Sequence, residues 1–82
     1  MEYFVYELYS QAFDKIYIGY TSDMKARLMS HNNTRNKGWT KRYQPWELIL
    51  QEKFAIKSEA MIREKQLKSC KGREYVRSKI AR

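Results

Sequence analysis

The sequence predicts an α+β fold in which a small three-stranded antiparallel sheet is flanked by helices, in the order β-β-α-β-α-α. Three observations support this prediction. Residues 3–9 and 15–20 are dense in aromatic and β-branched residues, the composition of paired strands. Residues 46–54 alternate in a way that suits a third strand covered mainly on one side. The remaining segments with a clear pattern place apolar residues at helical spacing.

The two predicted strands at the start of the chain form a hairpin, joined by a short connection around residues 10–14. If the loop holds an even number of residues, Tyr6 and Tyr17 can lie directly opposite each other and share one face of the sheet. Two hydroxyl groups would then meet on one surface. The alternative is ordinary aromatic packing across the strands.

A first helix is expected to begin near Asp23, with Thr21 or Ser22 as its cap. Arg27 lies one turn before His31, so both occupy adjoining positions on one side of this helix. Each also has a structural interpretation: His31 as a packed or capping residue, and Arg27 as a surface residue whose stem covers the core. The predicted inner stripe of the helix consists of Met24, Leu28 and His31.

The segment 32–45 is polar, rich in turn formers and without sustained periodicity. A connection of this length in a small domain is usually functional or mobile. Its basic residues alternate with two aromatic ones, which can bind phosphates and stack on bases together. Alternatively, Trp39 and Tyr43 fold back to cover the core. The basic residues of the segment are Arg35, Lys37, Lys41 and Arg42.

The next predicted helix is capped by Ser58 and carries an acid where a core residue is expected. Its apolar stripe consists of Ala60, Met61 and Leu67, with Glu64 at the centre. Burying an unpaired charge is costly, so such an acid usually has a cation, a metal or a cleft beside it. Glu64 is therefore a site candidate. After Gly72 a last helix is expected to run from Arg73 toward Ile80.

Composition points to a polyanionic partner. The chain has 82 residues, expected to form one domain over residues 1–82, and a net charge of +8. Residues 57–82 hold nine basic and three acidic residues. Nucleic acid is the usual partner of such a chain, although a solvated basic face is the alternative.

Other classes are disfavoured by the same inspection. The chain has one cysteine, Cys70, and one histidine, so neither an internal disulfide nor a Cys/His zinc site is expected. No apolar run approaches the roughly 20 residues that span a bilayer, and the first residues do not resemble a signal peptide. We therefore expect a cytoplasmic protein without a membrane partner.

Taken together, the motifs resemble those of a GIY-YIG nuclease domain over nearly the whole chain. Tyr17-Ile18-Gly19 is the YIG element, and Phe4-Val5-Tyr6 stands for the GIY element, with Phe in place of Gly. The run from Arg27 to His31 resembles the family's Arg-x-x-x-His helix, and that from Glu64 to Leu67 its Glu-x-x-Leu helix. The similarity is greatest to small stand-alone bacterial members. The Asn that many family nucleases carry after the Glu helix has no counterpart here.

The resemblance implies an endonuclease that uses one divalent ion, Mg²⁺ or Mn²⁺, to hydrolyse phosphodiester bonds of DNA. Glu64 would bind the ion through a hard oxygen ligand, and Arg27 would neutralise charge on the transition state. Tyr6 and Tyr17 would orient or deprotonate the attacking water, helped by His31. Either tyrosine is a candidate for the general base, and a phenolate would need a positive charge nearby.

Three functions are compatible with the sequence. The first is the endonuclease, acting on branched, nicked or otherwise distorted DNA. The second is a non-catalytic module that binds DNA or RNA, and the third is a nuclease subunit that needs a protein partner. A homodimer or a partner is an alternative source of specificity. Beyond the catalytic candidates, the residues expected to bind nucleic acid are Arg35, Lys37, Trp39, Lys41, Arg42, Lys68, Lys71 and Arg73.

Overall fold

A computed structural model of the chain describes residues 2–33 and 39–80, without the side chains of residues 39 and 40. The predicted element order is confirmed, with a short 3₁₀ helix added before the third strand. The elements are β1 (Tyr3–Ser10), β2 (Lys15–Thr21), α1 (Met24–His31), the 3₁₀ helix (Trp39–Tyr43), β3 (Glu47–Phe54), α2 (Lys57–Lys68) and α3 (Cys70–Ser78). Within the described residues, no helix is long and apolar enough to cross a membrane.

The sheet is antiparallel throughout, and β1 lies between β2 and β3. Tyr6 pairs with Gly19 and Leu8 pairs with Tyr17, so the expectation that the two tyrosines lie directly opposite each other is wrong. The cause is the length of the turn. Ser10 pairs with Lys15, which leaves four loop residues where a two-residue loop would have aligned the tyrosines. They still share a face because positions 17 and 19 point to the same side of β2.

Helix α1 begins one residue later than expected, and Asp23 is its N-cap. The Asp23 carboxylate accepts a hydrogen bond from the N–H of Ala26 at 3.1 Å. Thr21 has a supporting role, since its hydroxyl oxygen accepts the N–H of Asp23 at 3.1 Å. The last residue of α1, His31, is buried against the sheet with 6% of its surface exposed.

The starts of the last two helices differ from the prediction. Helix α2 begins at Lys57 after Ile56, and no side chain caps it, so the expected cap at Ser58 is wrong. Ser69 instead caps α3, accepting the N–H of Gly72 at 3.2 Å, and α3 therefore begins at Cys70 and not at Arg73. A side chain at position 72 would overlap the backbone of Leu67, so glycine lets α3 pack closely against the end of α2.

Both faces of the sheet are covered, which gives three layers. Val5 and Ile18 on one face pack with buried residues of α2 and α3, namely Ala60, Leu67 and Val76. On the other face Tyr6 and Leu8 pack with Trp46, and Met24 and Leu28 of α1 lie against this cluster. Met61, expected in the inner stripe of α2, is 39% exposed.

Candidate active site

A cleft of about 380 Å³ is lined by residues of β1, β2, α1 and α2 and of the connection between β2 and α1. Four of the five predicted catalytic residues line it: Tyr6, Tyr17, Arg27 and Glu64. The fifth, His31, lies in contact with both tyrosines. Residues far apart in the sequence meet at one place because β1 and β2 are paired and because the cleft lies at β2, an edge strand that residues of α1 on one face and of α2 on the other both reach.

The two tyrosines and the histidine form a compact aromatic cluster. The Tyr6 hydroxyl lies 3.0 Å from Nε2 of His31, within hydrogen-bonding distance. The centroids of the Tyr6 and Tyr17 rings are 6.1 Å apart, and those of Tyr17 and His31 are 4.6 Å apart. Nδ1 of His31 is buried and has no hydrogen-bond partner among the described residues. The imidazole ring is thus held by one hydrogen bond, to Tyr6, while the backbone carbonyl of His31 accepts from Nε2 of Gln44 at 2.8 Å.

Gly19 is what allows Tyr6 to occupy this position. It is the residue that pairs with Tyr6 across the strands, and a Cβ placed on it would lie 2.8 Å from the Tyr6 hydroxyl oxygen and 3.1 Å from Cε1 of Tyr17. The first distance is too short for a real contact. The glycine of the YIG element therefore has a packing reason in this chain: it leaves room for the phenol ring of the neighbouring strand.

Burial sets the protonation of Tyr6 and His31. It raises the pKa of Tyr6 well above its ordinary value; the nearby Tyr17 raises it further, and the charge of Arg27 only partly opposes the effect. Burial also lowers the pKa of His31, and the charge of Arg27 lowers it further. Near neutral pH the Tyr6 hydroxyl therefore keeps its proton and the imidazole is predominantly neutral.

Glu64 is the one acid among the residues that line the cleft. Its side chain is 17% exposed, and one carboxylate oxygen lies 3.6 Å from Nζ of Lys68, one turn further along α2. No group of three or more His, Cys, Asp or Glu side chains that could hold a metal ion occurs among the described residues. A single carboxylate in a polar cleft fits Mg²⁺, which usually keeps several waters and takes other oxygens from phosphate.

The residues predicted to bind nucleic acid are found in different places. Lys68 and Arg73 line a second, basic groove next to the cleft. Lys41, Arg42 and Lys71 are exposed and do not line that groove. Arg35 and Lys37 lie outside the described residues, as does the side chain of Trp39.

Sequence reasoning missed three basic residues at these surfaces. Lys57 lines the cleft, and Lys15 and Arg77 line the basic groove. No local pattern distinguishes them from other surface cations, since only the pairing of β2 and the packing of α3 bring them there. Tyr43 follows the structural alternative, because its ring packs edge-on against Trp46 with centroids 6.5 Å apart.

Comparisons with known proteins agree with the motifs. The family model described as the GIY-YIG catalytic domain matches residues 2–76. The UPF0213 protein SERP0126 of Staphylococcus epidermidis is 43% identical over 54 residues, which is 66% of each chain and so slightly under two thirds of the relative. A UPF0213 protein of Staphylococcus aureus is 37% identical over 67 residues, 82% of this chain and 76% of the relative.

A solved structure shows the same fold. The solution NMR structure of the UPF0213 protein BH0048 from Bacillus halodurans superposes with a TM-score of 0.57 and 30% sequence identity, covering 95% of this chain and 84% of that chain. GIY-YIG domains are the catalytic domains of endonucleases. The chain therefore belongs to the GIY-YIG family, and to its UPF0213 group.

Proposed function

We propose that the protein is an endonuclease that hydrolyses DNA phosphodiester bonds with the help of one Mg²⁺ or Mn²⁺ ion. One observation carries the proposal: Tyr6, Tyr17, Arg27 and Glu64 reach the same cleft from four different elements. A structural role would give no reason for a carboxylate to face a cleft that is otherwise lined by aromatic, hydroxyl and basic groups. Membership of the GIY-YIG family supports the same chemistry.

Glu64 is the residue that would hold the ion. When bound, the ion would polarise the scissile phosphate and neutralise charge on the leaving oxygen. Because one carboxylate makes a weak site, affinity for the free ion is expected to be low and to rise when the phosphate of the substrate is present. Lys68 compensates the charge of Glu64 in the free protein, at 3.6 Å.

Arg27 acts on the substrate phosphate. Its guanidinium group is a planar, permanently charged donor, and the residue is exposed at the cleft. Negative charge accumulates on the phosphoryl oxygens in the transition state, and a fixed cation at that point stabilises it more than the ground state.

The Tyr6–His31 pair offers a path for the proton of the attacking water. Since the Tyr6 hydroxyl is protonated, it can accept that proton only by passing its own to another group. The neutral His31 has Nε2 at 3.0 Å and can receive it. The water oxygen then bonds to phosphorus as the bond to the leaving oxygen breaks. The leaving oxygen keeps the electron pair of that bond and takes a proton from solvent, while His31 carries the proton that it received from Tyr6. Tyr17, next to both rings, orients the water.

The preferred substrate is proposed to be branched or nicked DNA, with intact duplex DNA as the alternative that the cleavage assay separates. The net charge of +8 supports a polyanionic substrate of some kind. The second candidate function is a module that binds nucleic acid without cutting it, and a protein partner or homodimer would then supply activity or targeting. The basic groove beside the cleft, which includes Lys68 and Arg73, is compatible with this second candidate as well.

The test is cleavage of end-labelled duplex, nicked, flap and four-way DNA with Mg²⁺ or Mn²⁺. Arg27→Ala is expected to reduce the rate by about 100- to 1000-fold, the usual cost of removing one fixed charge-stabilising group. Glu64→Ala is expected to be inactive at every concentration of Mg²⁺ or Mn²⁺. Both cleft residues are compared with matched controls on the same helices, Lys25→Ala on α1 and Glu59→Ala on α2, which are exposed and outside the cleft.

Cleavage that needs the metal and is lost in both cleft variants, but not in the controls, would support the nuclease. Cleavage without metal, or cleavage that survives both changes, would contradict the assignment. Salt-sensitive binding without cleavage of any substrate would favour the binding module.

A further inference from the structure

The groove beside the cleft has a volume of about 340 Å³ and lies between β2 and the helices α2 and α3. Four of its seven lining residues are basic and none is acidic; the basic residues are Lys15, Lys68, Arg73 and Arg77. Each comes from a different point of the chain: the start of β2, the end of α2, and two successive turns of α3. The fold thus concentrates positive charge that the sequence distributes over more than 60 positions.

The position of Arg77 is fixed by the hairpin turn. Its guanidinium donates to the Asp14 carboxylate at 3.0 Å and to the Asp14 backbone carbonyl at 3.2 Å. This contact ties the end of α3 to the turn between β1 and β2, directly before Lys15. Arg73 is held in turn by the Lys68 backbone carbonyl, which accepts from its Nε at 3.3 Å. Two of the four cations are therefore positioned by hydrogen bonds that leave other donors of the guanidinium group available.

The groove is continuous with the cleft. Tyr17 lines both, and Lys68, which lines the groove, lies 3.6 Å from the carboxylate of Glu64 in the cleft. An anion in the groove would therefore be a close neighbour of a phosphodiester in the cleft. A polymer with regularly spaced negative charges can occupy both places, and a small isolated anion would occupy only one.

We propose that this groove binds the backbone phosphates that adjoin the scissile phosphodiester on the same nucleic-acid strand, with Lys15 and Arg73 as its main contacts. The inference rests on the proposed function, because it takes the cleft as the place of cleavage. The strand then runs along the edge of the sheet formed by β2.

The test measures binding of fluorescently labelled duplex DNA at several salt concentrations, with EDTA present so that no cleavage occurs. On duplex DNA the logarithm of affinity falls with the logarithm of salt by about 0.9 for each phosphate neutralised. Lys15→Ala and Arg73→Ala are each expected to reduce this slope by about 0.9, and the double variant by about 1.8.

Two controls separate a local contact from general charge. Lys53→Ala removes the same charge from β3, at the opposite edge of the sheet, and is expected to leave the slope unchanged. Arg73→Lys keeps the charge at the groove and is expected to retain the slope, although it loses the hydrogen bond to Lys68. Thermal melting of each variant confirms that the fold persists. Lys15, whose ammonium lies over the Tyr43 ring at 5.7 Å from its centroid, provides the test if Arg73→Ala unfolds.

The outcomes distinguish the groove from the nuclease. Equal slopes for Lys15→Ala, Arg73→Ala and Lys53→Ala would overturn the groove, whether or not the protein cleaves DNA. A slope that is reduced in the groove variants and not in Lys53→Ala would support phosphate binding in the groove. Failure of the wild-type protein to cleave any substrate would overturn only the proposed activity.

Discussion

Tyr6 and Glu7 are neighbours in the central strand, and both are buried, with 1% and 0% of their surface exposed. Because side chains alternate along a strand, they point to opposite faces of the sheet. Tyr6 faces α1, where His31 is its hydrogen-bond partner and the cleft is beside it. Glu7 lies on the side of Val5 and Ile18, and neither of its carboxylate oxygens has a hydrogen-bond partner among the described residues. The same burial therefore leaves a hydrogen-bonded hydroxyl beside the cleft on one face and, within the described part of the chain, an unpaired carboxyl group on the other.

The surroundings of Glu7 explain why that cost is not relieved. Arg63 is near, but its Nε donates to both oxygens of Glu52, at 3.0 and 3.1 Å. Burial raises the pKa of Glu7 to about 7; the charge of Glu52 raises it further, and that of Arg63 lowers it. Glu7 is thus largely neutral below pH 7. Above pH 7 it ionises inside the core, which destabilises the fold.

The largest expected effect on stability comes from Glu7→Gln. The folded pKa of about 7 lies above the ordinary value of 4.5, so the folded state holds the proton more tightly than the unfolded state between these values. Wild-type stability should therefore fall as pH rises from about 4.5 through 7, by about 3 kcal/mol in total from this group. Glu7→Gln should remove that fall and be the more stable protein at pH 9.

Urea unfolding of the wild type and variant at pH 5, 7 and 9 measures this difference. Glu59→Gln, on the exposed side of α2, is the matched control and should follow the wild type. Parallel stability curves for the wild type and Glu7→Gln would contradict the assignment. Cleavage rates at pH 7 should change little in Glu7→Gln, because Glu7 does not line the cleft.

Gly19→Ala is expected to have the next largest effect, on the opposite face. The added methyl would lie 2.8 Å from the Tyr6 hydroxyl oxygen, the atom that contacts His31, so either that hydroxyl or the strand must shift. Overpacking of this kind typically destabilises by about 1–3 kcal/mol. The measurement is denaturant unfolding combined with the NMR shifts of the His31 ring. An unchanged His31 environment would show that the strands adjust without moving Tyr6, and that the glycine is not needed for the cluster.

Tyr6→Phe should have the smallest effect on stability and a much larger one on cleavage. It removes one hydrogen bond to His31, worth about 0.5–1.5 kcal/mol, and leaves the ring in place. If Tyr6 passes the proton of water to His31, the cleavage rate should nevertheless fall by about 100-fold or more. Stability is measured by urea unfolding and the rate with a nicked or branched DNA. Full activity in Tyr6→Phe would remove Tyr6 from the proposed proton path and leave Tyr17 as the candidate base.

The sequence by itself determined the element order and the placement of the candidate side chains on their elements. Strand and helix periods are local properties, so the pattern alone placed Tyr6 and Tyr17 on neighbouring strands, Arg27 at the edge of the inner stripe of one helix and Glu64 within the apolar stripe of another. It also identified the family, because the motifs follow one another in the expected order. These inferences need no information about how distant segments pack.

The sequence did not predict which serine caps a helix. Ser58 and Ser69 both precede helical patterns, yet only Ser69 has a helix start whose N–H its hydroxyl can reach, at Gly72. The choice depends on the close packing of α3 on α2, which the glycine permits. A single segment of sequence does not contain that information.

Tertiary structure alone decided the register, the burial and the charge distribution. The four-residue turn set Tyr6 opposite Gly19, and coverage of both faces of β1 left Glu7 without a partner. Lys15 and Arg77 share a groove because the hairpin turn and α3 are joined through Asp14. Such features arise from contacts between residues far apart in the chain, and these are set by the packing of whole elements and not by the period of any one of them.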